Sequence, residues 1–312
     1  MDHSMTAALA GILPVLPTPF AANGTIDPAA LGRVTSFALG AGAAGVVFPG
    51  FASEVDNLSA EEREILLREV VRTVAGRVPV VAGASAPSAA EAIGYARQAQ
   101  ALGIGHVMIQ APKSVGIDGA AVAAFYREIA NAVPGIEIVL QNAPAPRGSD
   151  LKPDVLLEIV RGNPAITYLK EETIPAGPAI TAILKGKPAH LKGVIGGGGA
   201  RYIIDEYVRG ACGAMPAAEF ADIHAALDRA FRSGAVETAR NLYMRTLPLL
   251  LIQANLRMAF TKYVLTRRGI LSNQICRAPL PAIDAVDRAE IDAWLGRIAD
   301  LLAPAASLQA AE

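Results

Sequence analysis

The sequence predicts an α/β protein, a (β/α)8 TIM barrel with an appended C-terminal helical region. Eight short apolar runs recur along the first two thirds of the chain, and a helical pattern separates each run from the next. The runs are apolar on both faces, which is typical of parallel strands covered by helices. Eight such units close into a barrel, while a doubly wound open sheet is the alternative that the same alternation allows.

The predicted elements follow one another in a regular order. The strand-like runs are GILPVLPTP, GVVFPG, VPVVAGAS, GHVMIQAP, IEIVLQNAP, AITYLKEE, HLKGVIGGG and ACGAMPA. Between them, helices are predicted at residues 28–39, 60–75, 89–102, 120–132, 153–160, 175–184 and 201–208. Beyond the last run, the helical patterns cover residues 218–231, 235–252, 256–266 and 288–302. We therefore predict a barrel at residues 1–217 and a C-terminal helical region at residues 218–312 that packs on it.

The composition excludes several classes of function. The 312 residues include 28 Lys and Arg against 29 Asp and Glu, so no basic surface for nucleic acid is expected. No apolar stretch reaches the roughly 18 residues of a membrane span. Prolines interrupt the apolar N-terminal run, which argues against a signal peptide.

Cysteine and histidine usage points to a metal-free protein of a reducing compartment. Two cysteines, Cys212 and Cys276, are too few for a disulfide framework and indicate the cytoplasm. The histidines are scattered without ligand spacing, at His3, His106, His190 and His224. We therefore expect no metal site and no cofactor.

The polar ends of the strand-like runs predict a catalytic face. Active sites of α/β barrels form at the C-terminal ends of the strands. These ends lie at residues 17–20, 50–54, 83–85, 110–113, 141–144, 170–173, 196–199 and 215–216. Most of the polar and glycine-rich character of the runs lies there, as an active site requires.

Lys170 is the candidate nucleophile. Alternate residues of a barrel strand point inward, so Tyr168, Lys170 and Glu172 share one face and Glu171 lies on the other. Desolvation of an inward lysine is expected to lower its pKa, and a neutral amine can attack a carbonyl to form a Schiff base. The other interpretation is a strand-end lysine that reaches solvent or pairs with a glutamate.

Several motifs in one order resemble a known family. They are LPTPF, a Gly-x-x-x-Glu loop at residues 50–54, GRVPVVAG, QNAP and YLKE. With them the chain resembles, over residues 10–270, the dihydrodipicolinate synthase / N-acetylneuraminate lyase family of class I Schiff-base lyases. The resemblance implies an eightfold barrel, a Schiff base between Lys170 and a 2-oxo acid, and a homotetramer, with a homodimer as the other possible assembly.

The motifs also depart from the family pattern. Gln141 stands where the family has a proton-shuttling tyrosine, and a glutamine has no titrating proton. Phe51 and Ala52 replace its threonine pair, and its second tyrosine falls near residues 113–114. The hydroxyl relay is therefore missing, which argues against dihydrodipicolinate synthesis.

The departures favour dehydration of a 2-keto-3-deoxy sugar acid. Glu172 shares the face of Lys170, so one carboxyl group could take a C3 proton and return it to the leaving C4 hydroxyl. Its other interpretation is a helix-capping or lysine-pairing acid, and Glu171 is expected to be structural. QNAP and KEET look most like the 2-keto-3-deoxy-L-arabinonate dehydratase branch, although Asn142 stands where that branch has an acid. The alternatives are a class I aldolase, with Glu172 or Glu54 as its base, and a non-catalytic member that binds 2-oxo acids.

The substrate-binding set is predicted from the loops around Lys170. Backbone N–H groups of Phe51, Ala52 and Ser53, with the Ser53 hydroxyl, could hold the keto-acid carboxylate. Arg147 could clamp it, or could be a solvated loop arginine. The rest of the predicted set is Gln141, Asn142, Thr173, Gly196 and Gly197. In the glycine run at residues 196–199, a phosphate cradle competes with a close approach of the backbone to the substrate or a neighbouring loop.

Overall fold

Eight parallel strands form one sheet in the computed structural model, which describes residues 7–303. Residues 1–6, which include His3, and residues 304–312 lie outside the described part of the chain. The strands are β1 (Gly11–Ile12), β2 (Val46–Val47), β3 (Val80–Gly83), β4 (His106–Ile109), β5 (Glu137–Asn142), β6 (Ile166–Glu171), β7 (Gly193–Gly196) and β8 (Gly213–Ala214). Neighbours in sequence are neighbours in the sheet, and β1 pairs with β8.

The sheet closes at the seam between its first two strands. Val15 forms parallel bridges to Val47 on one side and to Ala217 on the other. The N–H of Leu16 donates to the carbonyl of Val47 at 3.0 Å, and the N–H of Val47 donates to the carbonyl of Pro14 at 3.0 Å. The predicted (β/α)8 barrel is confirmed, and the open sheet is excluded.

Two hydrophobic clusters divide the barrel into an interior and an outer layer. The interior cluster consists of Leu9, Leu13, Val15, Val47, Val81, Met108, Val139, Tyr168, Ile195 and Met215. The larger cluster fills the space between strands and helices and includes Leu169 and Val194. Since Tyr168 is interior and Leu169 is outer, the predicted alternation along β6 is confirmed.

Helices cover the outside of the barrel. They are α1 (Pro28–Gly40), α2 (Ala60–Val74), α3 (Ala89–Ala101), α4 (Gly119–Ala132), α5 (Pro153–Arg161), α6 (Ala176–Gly186), α7 (Ile203–Val208) and α8 (Ala221–Arg232). The start of α2 shows how the sequence sets a helix end. The Ser59 hydroxyl accepts from the N–H of Glu62, and the Glu62 carboxylate accepts from the N–H of Ser59.

The C-terminal part is helical, as predicted. It contains α9 (Val236–Arg267) and α10 (Ala285–Arg297). The sequence predicts separate helices at residues 235–252 and 256–266, and the structure has two helical segments joined across a kink at Arg257 (φ 56°, ψ −131°), which together form α9. The kink lies within a few residues of the predicted gap between the two helices. No helix within residues 7–303 combines the length and hydropathy that a membrane span needs.

Two buried ion pairs fasten the C-terminal part to the barrel. Lys262 of α9 donates to the Glu54 carboxylate at 2.5 Å, and both side chains are fully buried. Arg268 donates to the Asp222 carboxylate of α8 at 2.5 Å. These contacts hold the C-terminal end of α9 against the loop after β2 and against α8.

Candidate active site

A cavity of about 260 Å³ lies at the C-terminal end of the barrel, under α9. Its floor contains Val15 and Met215 of the barrel interior together with Lys170. The loop after β5 and the loop after β7 form its sides, and α9 contributes Gln253 and Arg257. Its position agrees with the predicted catalytic face.

Lys170 and Glu172 meet in this cavity. Lys170 is 5% exposed, and its Nζ lies 3.0 Å from Oε1 of Glu172. The N–H of Glu172 donates to the carbonyl of Asn142 at 2.9 Å, which continues the β5–β6 pairing past the end of β6. The strand therefore carries both side chains inward at neighbouring levels, as the alternation predicts.

Glu172 is held by three donors. Besides Lys170, the side-chain amide of Gln141 donates to Oε1 at 2.5 Å and the guanidinium of Arg147 donates to Oε2 at 2.8 Å. Burial alone would raise the pKa of Glu172, but the charges of Lys170 and Arg147 outweigh it and lower the pKa to about 2. Glu172 is therefore a carboxylate throughout the physiological range. Gln141, which pairs with Lys170 across β5 and β6, positions this carboxylate.

Glu171 faces the opposite side of β6 and belongs to the scaffold. Its carboxylate accepts from the side-chain amide of Asn142 at 2.9 Å and from the N–H of Thr173 at 2.8 Å. Burial raises the pKa of Glu171 in spite of these hydrogen bonds. The expectation that this glutamate is structural agrees with its position.

Asn142 and Thr173 do not border the cavity, in contrast to the predicted substrate-binding set. The Asn142 amide also donates to the carbonyl of Leu151 at 3.0 Å and accepts from its N–H at 3.0 Å. The Thr173 hydroxyl donates to Glu171. Both side chains lie on the Glu171 side of the strand ends, where they hold the loop after β5 against β6. A substrate contact is therefore not supported for either residue.

Ser53 also differs from its predicted role. Its hydroxyl donates to the carbonyl of Leu16 at 2.5 Å and accepts from the N–H of Gly50 at 2.9 Å, and its own N–H donates to the carbonyl of Gly50. The side chain is fully buried, so it closes the loop after β2 and does not offer a donor to the cavity. Of the predicted carboxylate nest, Phe51 and Ala52 border the cavity.

In the glycine run at residues 196–199, the first two glycines make room for neighbouring side chains and the last two border the cavity. A side chain at Gly196 would collide with the carboxylate of Glu206, and one at Gly197 would collide with the side chain of Glu172. These two glycines provide space for buried glutamates and do not border the cavity, so their assignment as substrate contacts stays a prediction. Gly198 and Gly199, both at positive φ, border the cavity instead.

Glu54, the alternative base for an aldolase, forms a buried ion pair and hydrogen bonds outside the cavity. Besides the pair with Lys262, its Oε2 accepts from the N–H groups of Arg277 and Ala278, each at 2.7 Å. It does not border the cavity, and the structure does not support a base at this position. Among the described residues, no group of three or more His, Cys, Asp or Glu side chains could hold a metal ion.

The residues of the site that lie outside the strand ends are not among those predicted from the sequence. Arg201 and Tyr202 precede α7, and Gln253, Arg257 and Thr261 belong to α9, yet all five border the cavity. A signal was available in the apolar stretch LPLLLIQANLRMAFTKYVL, where polar residues recur at helical spacing. Which strand ends that helix covers is set by tertiary packing and is not visible in the sequence.

Comparisons with known proteins agree with this geometry. The model of the dihydrodipicolinate synthetase family matches residues 8–297. The chain is 30% identical to an L-2-keto-3-deoxyarabonate dehydratase from Azospirillum brasilense over 97% of this chain and 98% of that protein. It is 29% identical to a probable 2-dehydro-3-deoxy-D-pentonate aldolase from Escherichia coli, over 86% of this chain and 91% of that protein.

A solved structure shows the same fold. The crystal structure of a dihydrodipicolinate synthase from Rhodopseudomonas palustris superposes with a TM-score of 0.87 at 29% identity, covering 93% of this chain and 97% of that chain. The family model spans nearly the whole of the described barrel and its C-terminal helices. The chain belongs to the dihydrodipicolinate synthetase family.

Proposed function

We propose that the protein is a Schiff-base lyase that dehydrates a 2-keto-3-deoxy sugar acid through an imine on Lys170. The observation that carries the proposal is the Lys170–Glu172 pair, 3.0 Å apart in a cavity at the C-terminal end of the barrel. The family membership and the likeness to an L-2-keto-3-deoxyarabonate dehydratase over nearly the whole chain support the same reaction.

The first stage is imine formation. The Lys170 amine loses a proton to solvent before it attacks the C2 carbonyl. Nζ then bonds to C2, and the carbonyl oxygen leaves as water. The backbone at Phe51 and Ala52 and the Arg147 guanidinium border the cavity and are the candidate donors for the keto-acid carboxylate.

The second stage uses Glu172 twice. Its carboxylate takes one C3 proton, and the imine becomes an enamine. The enamine electrons then expel the C4 hydroxyl, which leaves as water with the proton that Glu172 returns. Hydrolysis of the conjugated imine restores Lys170 and consumes the water formed in the first stage. The net change is the loss of one water from the sugar acid.

The residue at position 141 favours dehydration over carbon–carbon cleavage. Retro-aldol cleavage requires a base for the C4 hydroxyl, and Gln141 has no titrating proton to exchange. Gln141 instead donates to Glu172 at 2.5 Å, which supports a single carboxyl as the proton carrier. The alternative is a class I aldolase in which Glu172 serves the C4 hydroxyl. The likeness to the Escherichia coli aldolase favours this candidate.

Borohydride trapping followed by product analysis tests the proposal. The protein is incubated with pyruvate or a 2-keto-3-deoxy sugar acid and reduced, and the adduct is located by peptide mapping. We expect the mass increase on Lys170 and loss of both adduct and turnover in Lys170→Ala. Lys185→Ala, an exposed lysine near the end of α6, is the matched control.

The outcomes separate the candidate functions. A product that has lost one water and no carbon supports dehydration, whereas a shorter aldehyde together with a 2-oxo acid identifies an aldolase. An adduct without turnover of any 2-keto-3-deoxy acid indicates a non-catalytic binding member. Absence of an adduct on Lys170 contradicts the Schiff-base mechanism itself.

We also propose a cytoplasmic homotetramer or homodimer. The two free cysteines support a reducing compartment, and the family resemblance supports the assembly. Exposed apolar side chains on α9, Met244 and Leu251, are available for a subunit contact. Sedimentation velocity measures the assembly, and a monomer at micromolar concentration would contradict it.

A further inference from the structure

The side chains that border the cavity carry more positive than negative charge. Four cationic side chains border it, Lys170, Arg147, Arg201 and Arg257, against one carboxylate, Glu172. Glu172 is already bonded to Lys170 and Arg147. Within residues 7–303, neither Arg201 nor Arg257 forms an ion pair with a carboxylate. A cavity with this excess of positive charge attracts an anion beyond the one that Arg147 could bind.

Arg201 is built into the cavity wall. Its Nη1 donates to Oε1 of Gln253 at 3.2 Å. A side chain at Gly199, which has φ +67°, would come within 3.0 Å of that Nη1 and 3.1 Å of that Oε1. The glycine run therefore leaves room for this contact between the loop after β7 and α9. Burial lowers the pKa of Arg201, the neighbouring Arg257 and Arg147 also lower it, and Tyr202 and Glu172 oppose the decrease without cancelling it.

Arg257 is held in an unfavourable backbone conformation beside the same cavity. A non-glycine residue at φ 56° and ψ −131° inside a helix is strained, and such strain concentrates at functional sites. The Arg257 guanidinium lies 5.0 Å from the centre of the Phe51 ring, and the Arg147 guanidinium lies 4.8 Å from the same ring. The break in α9 thus adds a cation to a wall that already contains two arginines.

We propose that Arg201 and Arg257 form a second anion site and that the substrate is a dianionic 2-oxo acid. Its keto-acid end is held at Lys170, and a carboxylate or phosphate at the far end of the chain binds the two guanidinium groups. The assignment of the two ends rests on the proposed function, because the Lys170 imine defines the keto end. The cavity of about 260 Å³ is smaller than the roughly 300–1,000 Å³ of pockets for drug-sized ligands, so it suits a small acid.

The test compares matched acids that differ in their distal charge. Binding of 2-oxoadipate and of 2-oxohexanoate, which has the same chain length and one charge fewer, is measured by calorimetry. A second pair, 2-keto-3-deoxy-6-phosphogluconate and 2-keto-3-deoxygluconate, distinguishes a phosphate from a carboxylate source. In the better of the two pairs, we expect the wild-type protein to bind the acid with the charged distal group at least about tenfold more tightly than its monoanionic partner, the range of one charge-assisted hydrogen bond.

The variants are Arg201→Gln, Arg257→Gln and the double substitution. We expect each single change to reduce the preference and the double change to bring it within about twofold of unity. Arg240→Gln is the matched control, since Arg240 is an exposed arginine of the same helix that pairs with Glu237. The preference is the ratio of the two dissociation constants measured on the same variant. A partly unfolded preparation lowers the binding of both acids and leaves this ratio unchanged.

Two results would overturn the second anion site. One is equal binding of both acids in each pair by the wild-type protein, and the other is a dianion preference that survives the double substitution. Failure of the proposed function has a different signature, because it appears as the absence of a borohydride-trapped adduct on Lys170 while the calorimetric preference is still measured.

Discussion

At the scale of single residues, the site is defined by one carboxylate with three donors. Lys170, Gln141 and Arg147 all reach Glu172, so its position and its ionisation are both fixed before a substrate enters. The neighbouring Glu171 shows how much the face of the strand decides. Glu171 precedes Glu172 by one residue and faces the other side of the strand, where its buried carboxylate supports the loop after β5 through Asn142.

The first prediction concerns the proton carrier. Glu172→Gln keeps the size of the side chain but removes the base, so we expect a borohydride-trapped adduct on Lys170 with turnover lowered roughly 10²–10⁴-fold. Adduct yield and dehydration rate are measured on the same preparation. Full activity in this variant would refute the base assignment, whereas loss of the adduct as well would place Glu172 in the imine-forming stage.

A second prediction concerns Glu206, a buried carboxyl behind Gly196. Burial raises its pKa from an ordinary value of 4.5 to about 8, with the negative charges of Glu172, Asp205 and Glu171 adding to the effect. The folded protein therefore holds a proton that the unfolded chain releases. Its contribution to stability is complete below about pH 4.5 and is lost as the pH rises through about 8.

Glu206→Gln tests this pH dependence. The neutral amide has no proton to lose, so we expect the variant to gain stability over the wild-type protein between about pH 5 and 8.5. The gain should be of the order of 1–4 kcal/mol, since one pKa unit corresponds to about 1.4 kcal/mol. Urea unfolding at the two pH values measures it, with Glu237→Gln as an exposed control. A constant difference at both pH values would contradict the assignment.

At the scale of elements, α9 connects the C-terminal part to the strand ends. It contributes Gln253, Arg257 and Thr261 to the cavity and supplies Lys262 to the buried Glu54. Glu54 is in the loop after β2 that also carries Phe51 and Ala52. The pair therefore fixes the cavity wall from α9 and the loop after β2 against each other.

The third prediction follows from that ion pair. Lys262→Met leaves the Glu54 carboxylate buried without its cation, so we expect a loss of about 3–5 kcal/mol in the free energy of unfolding. The double variant Glu54→Gln, Lys262→Met removes both charges and should recover part of the loss. Urea unfolding of the two single variants and the double variant gives the coupling. Additive effects would show that the two side chains do not stabilise each other.

The elements also show how far the sequence could predict the site. The eight strand-like runs and the helix starts follow from hydrophobic period and capping residues, and the alternation along β6 correctly places Lys170 and Glu172 together. The sequence predicts Ser53, Asn142 and Thr173 as substrate contacts because they lie at strand ends. Short polar side chains at strand ends also bond to nearby backbone, and only the structure shows that they do so here.

At the scale of the whole molecule, the boundary between the barrel and the C-terminal part stays a prediction. The sequence predicts it after residue 217, where strand-like runs end. However, α8 follows β8 in the same way that each earlier helix follows its strand. Its Asp228 carboxylate also accepts from Tyr207 of α7 at 2.7 Å. We therefore propose that the barrel extends through Arg232 and that the appended region begins after it.

The fourth prediction tests this boundary by truncation. A chain that ends after residue 217 lacks the eighth outer helix and exposes buried residues of β1, so we expect it to aggregate. A chain that ends after residue 234 keeps all eight units and should remain more soluble, although it lacks the cavity residues of α9. Soluble yield and circular dichroism compare the two chains. A chain ending after residue 217 that is as soluble and as well folded as the longer one would favour the earlier boundary.

The low pKa of Glu172 has a consequence for which molecules the protein can process. A carboxylate with a pKa of about 2 is a weak base towards a C–H bond, and it stays weak while the surrounding cations are unopposed. A substrate that brings its own negative charges offsets those cations and strengthens the base. We therefore expect a short acid such as pyruvate to lose its C3 proton more slowly than an acid that carries a second negative charge.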